Sequence, residues 1–146
     1  MGNYQGYGLE GASAVDLVVA LYDGIIRFLY TASDAAARGD TYGRRAATKR
    51  ALDIIIHLQS RLRMDVGGQP AQALSEFYDA TFAQIIKASQ AASTQKFQHA
   101  IDCVRNVRDA WRQVATDPSV NPAPLQAPVR DEEYASSGDS VSRWNA

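Results

Sequence analysis

Residues 13–38, SAVDLVVALYDGIIRFLYTASDAAAR, decide the fold. Val18, Leu21, Tyr22, Ile25, Leu29, Ala32 and Ala36 recur three or four positions apart, the spacing that lines up one face of an α-helix. The strict alternation of a half-buried strand is missing here and along the rest of the chain. Ser13 with Asp16 three residues on makes a capping arrangement, the hydroxyl accepting a free backbone N–H while the carboxylate favours the positive helix end. The first helix is therefore expected to begin at Ser13. Gly39, directly after Arg38, suits its stop.

Outward from that stretch the same period returns three times. Thr41 opens a second segment with Ala47, Ala51, Ile55, Leu58 and Leu62 on one stripe, ending where Asp65-Val66-Gly67-Gly68 frees the backbone to turn. Pro70 suits the first turn of a third helix carrying Leu74, Phe77, Tyr78, Thr81, Ile85 and Ala88. Ser93 and Thr94 offer a cap to a fourth, with Phe97, Ile101, Val104, Trp111 and Ala115 in line and Val107 beside them. Short breaks between such helices predict an all-α fold, an antiparallel four-helix bundle over residues 13–116. Residues 1–12 are expected to form a flexible N-terminal arm. Residues 117–146 hold Pro118, Pro122, Pro124 and Pro128 among serines and acidic groups, and are expected to be a disordered tail that cannot bury enough apolar area to offset its ordering entropy. Trp144, near the tail's end, is either a docking anchor or an unstructured terminal aromatic.

An internal echo bears on the architecture. Tyr22-Asp23, Ala32-Ser33 and Ala35-Ala36 recur 56 residues later as Tyr78-Asp79, Ala88-Ser89 and Ala91-Ala92, and Ala51-Leu52-Asp53 is echoed by Ala100-Ile101-Asp102. Either two related αα-hairpins pack together, or amphipathic helices resemble one another by chance.

With 146 residues, 46% of them hydrophobic, there is material for one domain and one core. A formal charge of −1 removes the simple electrostatic case for nucleic acid or anionic membrane as partner. The charge is uneven: seven basic residues face Asp40 and Asp53 between Arg38 and Arg63, and five acidic residues face Arg130 and Arg143 from Asp117 onward. Cys103 is the only cysteine, which excludes an intramolecular disulfide and makes a reducing cytoplasm the simplest compartment. The start lacks the pattern of a signal peptide, and Gly6 stands where a myristoylation signal needs Ser or Thr. No stretch approaches the roughly 20 apolar residues that cross a bilayer, so no membrane insertion is expected.

Sites for chemistry are few. A di-iron or di-manganese bundle needs inward Glu residues and Glu-x-x-His repeats, and this chain has no Glu-x-x-His. His99 and Cys103 have zinc-ligand spacing on one helix face, but even with His57 a fourth group is missing. The same pair as a nucleophile lacks an orienting group and an oxyanion site, and no glycine-rich phosphate loop follows a strand. Asp23 and Asp79, beside Tyr22 and Tyr78, fit a hydrogen-bonded structural role better than a catalytic carboxylate pair. The expectation is no catalytic, cofactor-binding or metal-binding residue, and no cofactor. The basic run Arg44, Arg45, Lys49 and Arg50 is a solvated face or a patch for an acidic protein, and without interleaved aromatics it does not point to RNA or DNA.

What the chain has in surplus is apolar helix surface. Beside the core stripes lie Val15, Val19, Ile26 and Tyr30 in the first helix, Leu52 and Ile56 in the second, and Phe82 and Ile86 in the third. They are expected to bind a partner helix in a groove, with Tyr4 and Leu9 of the arm taking part and the arm occupying some of that groove when it is empty. Alternatively they cover one another at helix edges, lie under Tyr4, Tyr7 and Leu9, or pair in a homodimer of the free protein.

With those residues in view, the sequence resembles the FliS family of flagellar secretion chaperones. The likeness spans Asn3 to Val114 and rests on Tyr4-Gln5, Ala12-Ser13 with Asp16-Leu17, Leu21-Tyr22-Asp23-Gly24, Phe77-Tyr78-Asp79 and Ala110-Trp111. The resemblance implies a helical bundle that holds the C-terminal segment of flagellin in the cytoplasm, prevents premature polymerisation, and delivers it to the flagellar type III export apparatus, with no cofactor. It also implies that Tyr4 and the surface of the first helix handle cargo while Tyr22 and Trp111 serve the fold. Ala14 stands where that family commonly has proline, Ser89 where it has asparagine, and the tail from Pro118 is longer and richer in proline. The residues also admit an adaptor for another helical partner, or a metal or redox bundle enzyme whose mark would be bound metal or loss of function in Cys103→Ser.

Overall fold

The computed structural model describes residues 10–116, with side chains for residues 14–114. Four helices follow one another, α1 (Glu10–Arg38), α2 (Thr41–Ser60), α3 (Gly68–Ala91) and α4 (Thr94–Thr116), and no β-strand lies among the described residues. The connections are short, so consecutive helices run antiparallel. The start of α1, the end of α2, the start of α3 and the end of α4 therefore share one end of the bundle.

Local chemistry explains most of the boundaries. Gly39 adopts φ +73°, the left-handed conformation open to glycine, and the N–H groups of Gly39 and Asp40 bond back to the carbonyls of Ala36 and Ala35 at 3.1 and 2.8 Å. Asp40 then caps α2, its carboxylate accepting from the Gly43 N–H at 2.9 Å. A Cβ on Gly43 would run into that carboxylate, so the missing side chain makes room for the cap. At the other break Ala92, at φ 48°, ends α3, and Ser93 Oγ accepts from the Lys96 N–H at 3.0 Å as the expected cap of α4.

Two boundaries depart from the sequence reading. α1 begins at Glu10, which places Ser13 inside the helix instead of at its cap. α2 stops at Ser60, because the N–H groups of Arg61 and Leu62 bond three residues back, to Leu58 and Gln59, and tighten its last turn. Leu62 thus leaves the helical stripe and packs, half-buried, against the core from the linker.

α1 is the hub of the bundle. It lies against both α2 and α4 over most of its length, whereas α3 approaches its two neighbours much less closely. Tyr22, Ile25, Leu29, Ile55, Leu58, Ile85, Phe97 and Ile101 are fully buried between the helices. At Gly24 an added Cβ would come within 3.1 Å of Ile54 Cδ1, so glycine permits α2 to close on α1.

The hub position also corrects the expected surplus. Val15 and Ile26 are not left uncovered: they are 1% and 7% exposed and belong to the core cluster. A helix flanked on two sides buries a wider arc than one stripe, which takes in both residues. No helix among the described residues is long and apolar enough to cross a membrane.

Candidate interaction surface

Tyr22 of α1 and Tyr78 of α3, the two echoed tyrosines, meet across the centre of the bundle with their hydroxyls 2.7 Å apart. Trp111 of α4 donates its indole N–H to the Tyr22 oxygen at 3.4 Å, so three helices share one polar contact inside an apolar core. Burial pushes the Tyr22 hydroxyl up to about 12, against the two hydrogen bonds that lower it, and burial also raises Tyr78. Neutral phenols serve as hydrogen-bonding pins here and offer no acid or base near neutral pH.

The neighbouring aspartates part company. Asp23 receives Arg108 of α4 at 2.8 Å, with Arg112 at 3.9 Å, while Asp79 receives Gln59 of α2 at 2.9 Å. They join helices and form no carboxylate pair. Of the basic run only Arg44 is half-buried, donating to Ser89 at 3.2 Å; Arg45, Lys49 and Arg50 stay exposed, Lys49 pairing with Asp53 on the surface of α2 at 2.9 Å and Arg50 lying over the Phe28 ring at 5.7 Å, as does Arg27. Cys103 Sγ and His99 Nε2 are 3.9 Å apart, and no group of three metal-ligating side chains occurs among the described residues.

What remains for interaction is apolar and follows α3. Gln59 bonds Ser75 and Asp79 near one end of the α2–α3 seam, and Arg44 bonds Ser89 near the other. That antiparallel register sets Leu52 and Ile56 of α2 along the same seam as Phe82 and Ile86 of α3. Leu52, Phe82 and Ile86 are half-buried, and Ile56 is 49% exposed. Val19 on α1 is half-buried against the core. Tyr4 and Leu9 lie outside the described residues.

Along the other side of α3 runs a feature that the sequence did not disclose. Pro70 and Leu74 of α3 with Val107, Ala110, Trp111 and Val114 of α4 line an open apolar groove of about 160 Å³. Helical spacing had placed Leu74 and Trp111 on core stripes with Val107 beside the latter, which is right for each helix taken alone. The gap exists because α3 stands off from α4, and spacing along one chain carries no sign of that separation. Small Ala110 between larger neighbours is the one hint that the chain held.

Comparison with known proteins bears on what these surfaces serve. Residues 1–118 match the family model described as flagellar protein FliS. The chain is 33% identical over 106 residues to the flagellar secretion chaperone FliS of Vibrio cholerae, covering 73% of this chain and 78% of that protein. It is 29% identical over 105 residues to the protein of that name from Salmonella typhimurium, covering 71% and 78%. The Campylobacter jejuni protein of that name is 29% identical over 113 residues, covering 77% and 87%.

Proposed function

This chain belongs to the FliS family, a family of flagellar secretion chaperones and not of enzymes, and from that premise we propose that its cargo is flagellin. The chain binds the C-terminal segment of flagellin in the cytosol, keeps it from polymerising early, and hands it to the flagellar export apparatus. The supporting observation is the incompletely covered apolar seam beside α3, where Ile56 stands half exposed with Leu52, Phe82 and Ile86. A cargo segment that becomes helical on binding lays its apolar face along such a seam, exchanging its own ordering cost for burial of both surfaces. Val19 extends the surface on α1, and Tyr4 and Leu9 of the N-terminal segment contribute to cargo binding.

Size-exclusion chromatography of the two purified proteins tests the proposal. A one-to-one complex with the cognate flagellin is expected, and it disappears when the C-terminal segment of flagellin is removed. Absence of co-elution with intact flagellin defeats the reading.

A further inference from the structure

The groove between α3 and α4 opens at the end of the bundle where the described chain stops. All six side chains lining it are apolar, and the exposed Leu17, Met64 and Val66 lie toward the same end. Thr116, the last residue of α4, follows Val114 of the groove wall by two positions, and residues 117–146 continue from it. The family match ends at residue 118, so nearly all of this continuation is outside the common FliS pattern.

We propose that residues 118–126 fold back and occupy this groove, making the chain's own proline-rich segment its resident ligand. Reach permits it. Val114 to Val107 is seven residues of helix, about 10 Å at ~1.5 Å per residue, and a polyproline-type strand at ~3.1 Å per residue spans that in three to four residues. The stretch Val120-Asn121-Pro122-Ala123-Pro124-Leu125 supplies that length after a reversal at Pro118-Ser119, with Val120 and Leu125 as apolar anchors. Chemistry favours it as well. Proline-rich segments lose little entropy on docking and suit apolar grooves walled by an aromatic ring, which here is Trp111. Attachment at Thr116 raises the local concentration to the millimolar range for short linkers, so a weak site is filled without outside help. The arm before Glu10 leaves from the same end of the bundle, but from α1, which does not line the groove, whereas residues 117–146 continue directly from the helix that forms its wall. The proposal does not depend on which cargo the α2–α3 seam takes.

The test uses the full chain with Cys103→Ser and a nitroxide on Gln126→Cys, read by amide NMR. The docked segment broadens the signals of Leu74 and Val107, and Leu125→Asp restores them. Ala110→Arg, at an exposed helical position, restores them too. Since Leu125 lies outside the four helices, its replacement leaves the bundle folded, and equal intensities with and without Leu125→Asp overturn the proposal. Broadening that grows with protein concentration assigns the groove to a second copy and overturns it. So does a spectrum in which groove signals move on removal of residues 1–9 and stay put on removal of residues 118–146.

Discussion

Replacing Tyr22 with phenylalanine removes the single oxygen that meets both the Tyr78 hydroxyl at 2.7 Å and the Trp111 indole N–H at 3.4 Å. The ring stays, so no cavity opens and the whole effect is polar. A buried hydrogen bond is worth about 1 kcal/mol net, and a buried polar group left without its partner costs about 1–3 kcal/mol. The Trp111 contact is long and weighs less. Tyr22→Phe should therefore destabilise by about 2–3 kcal/mol, whereas Tyr78→Phe, which spares the Trp111 contact, should cost about 1–2 kcal/mol. The double variant should cost less than the sum by roughly 1 kcal/mol, because both single changes lose the same Tyr22–Tyr78 hydrogen bond. Urea unfolding of the four proteins, followed by far-UV circular dichroism with the slope unchanged, measures all three quantities. If the losses add, or Tyr78→Phe is the costlier change, then the Tyr22 oxygen is not the shared member of the two contacts and the account of the bundle centre is wrong.

Further expectations concern single sites. Thr48 Oγ1 is buried with no hydrogen-bond partner, so Thr48→Val, of the same shape, should raise stability by about 1 kcal/mol in the same urea assay. Asp40→Ala removes the cap of α2 and should cost about 1 kcal/mol, seen also as faster amide exchange in the first turn. Burial, and then nearby Arg61, hold His57 below its ordinary value. The unfolded chain therefore binds the proton first: stability should be full above about 6.5 and fall as pH drops through the unfolded value toward the folded one. In His57→Gln that part of the pH dependence disappears; an unchanged slope between neutral and mildly acidic pH refutes it. Ile56→Asp, at a half-exposed position, should weaken the flagellin complex while shifting stability by no more than about 0.5 kcal/mol.

The helices were legible because their signals are local. Three-and-four spacing found every one, and Gly39, Asp40-adjacent Thr41 and Ser93 marked breaks where the backbone does turn. The start of α1 was misplaced because Ser13 and Asp16 have the spacing of a cap in sequence, while the helix has already begun at Glu10. Val15 and Ile26 were misjudged for a tertiary reason, since the number of neighbours that α1 has is no property of its own stretch. The echo of Tyr22 in Tyr78 pointed to equivalent helices, yet their meeting hydroxyl to hydroxyl depends on how the hairpins dock. The incomplete cover of Leu52, Ile56, Phe82 and Ile86 has a local signal, because surplus apolar character shows on each helix separately. The α3–α4 groove has none, being a distance between helices.

Gly24 and Ile54 divide one small volume between two helices, so what either position tolerates is set by the other. Glycine inside a helix forgoes about 1 kcal/mol relative to alanine. Shortening Ile54 to valine vacates the space of its terminal methyl, and alanine at 24 then recovers that helical preference without Ile54 having to give way. Homologous chains should accordingly vary at these two sites in concert, small against large, and a lone change at either should be rarer than the exchange of both.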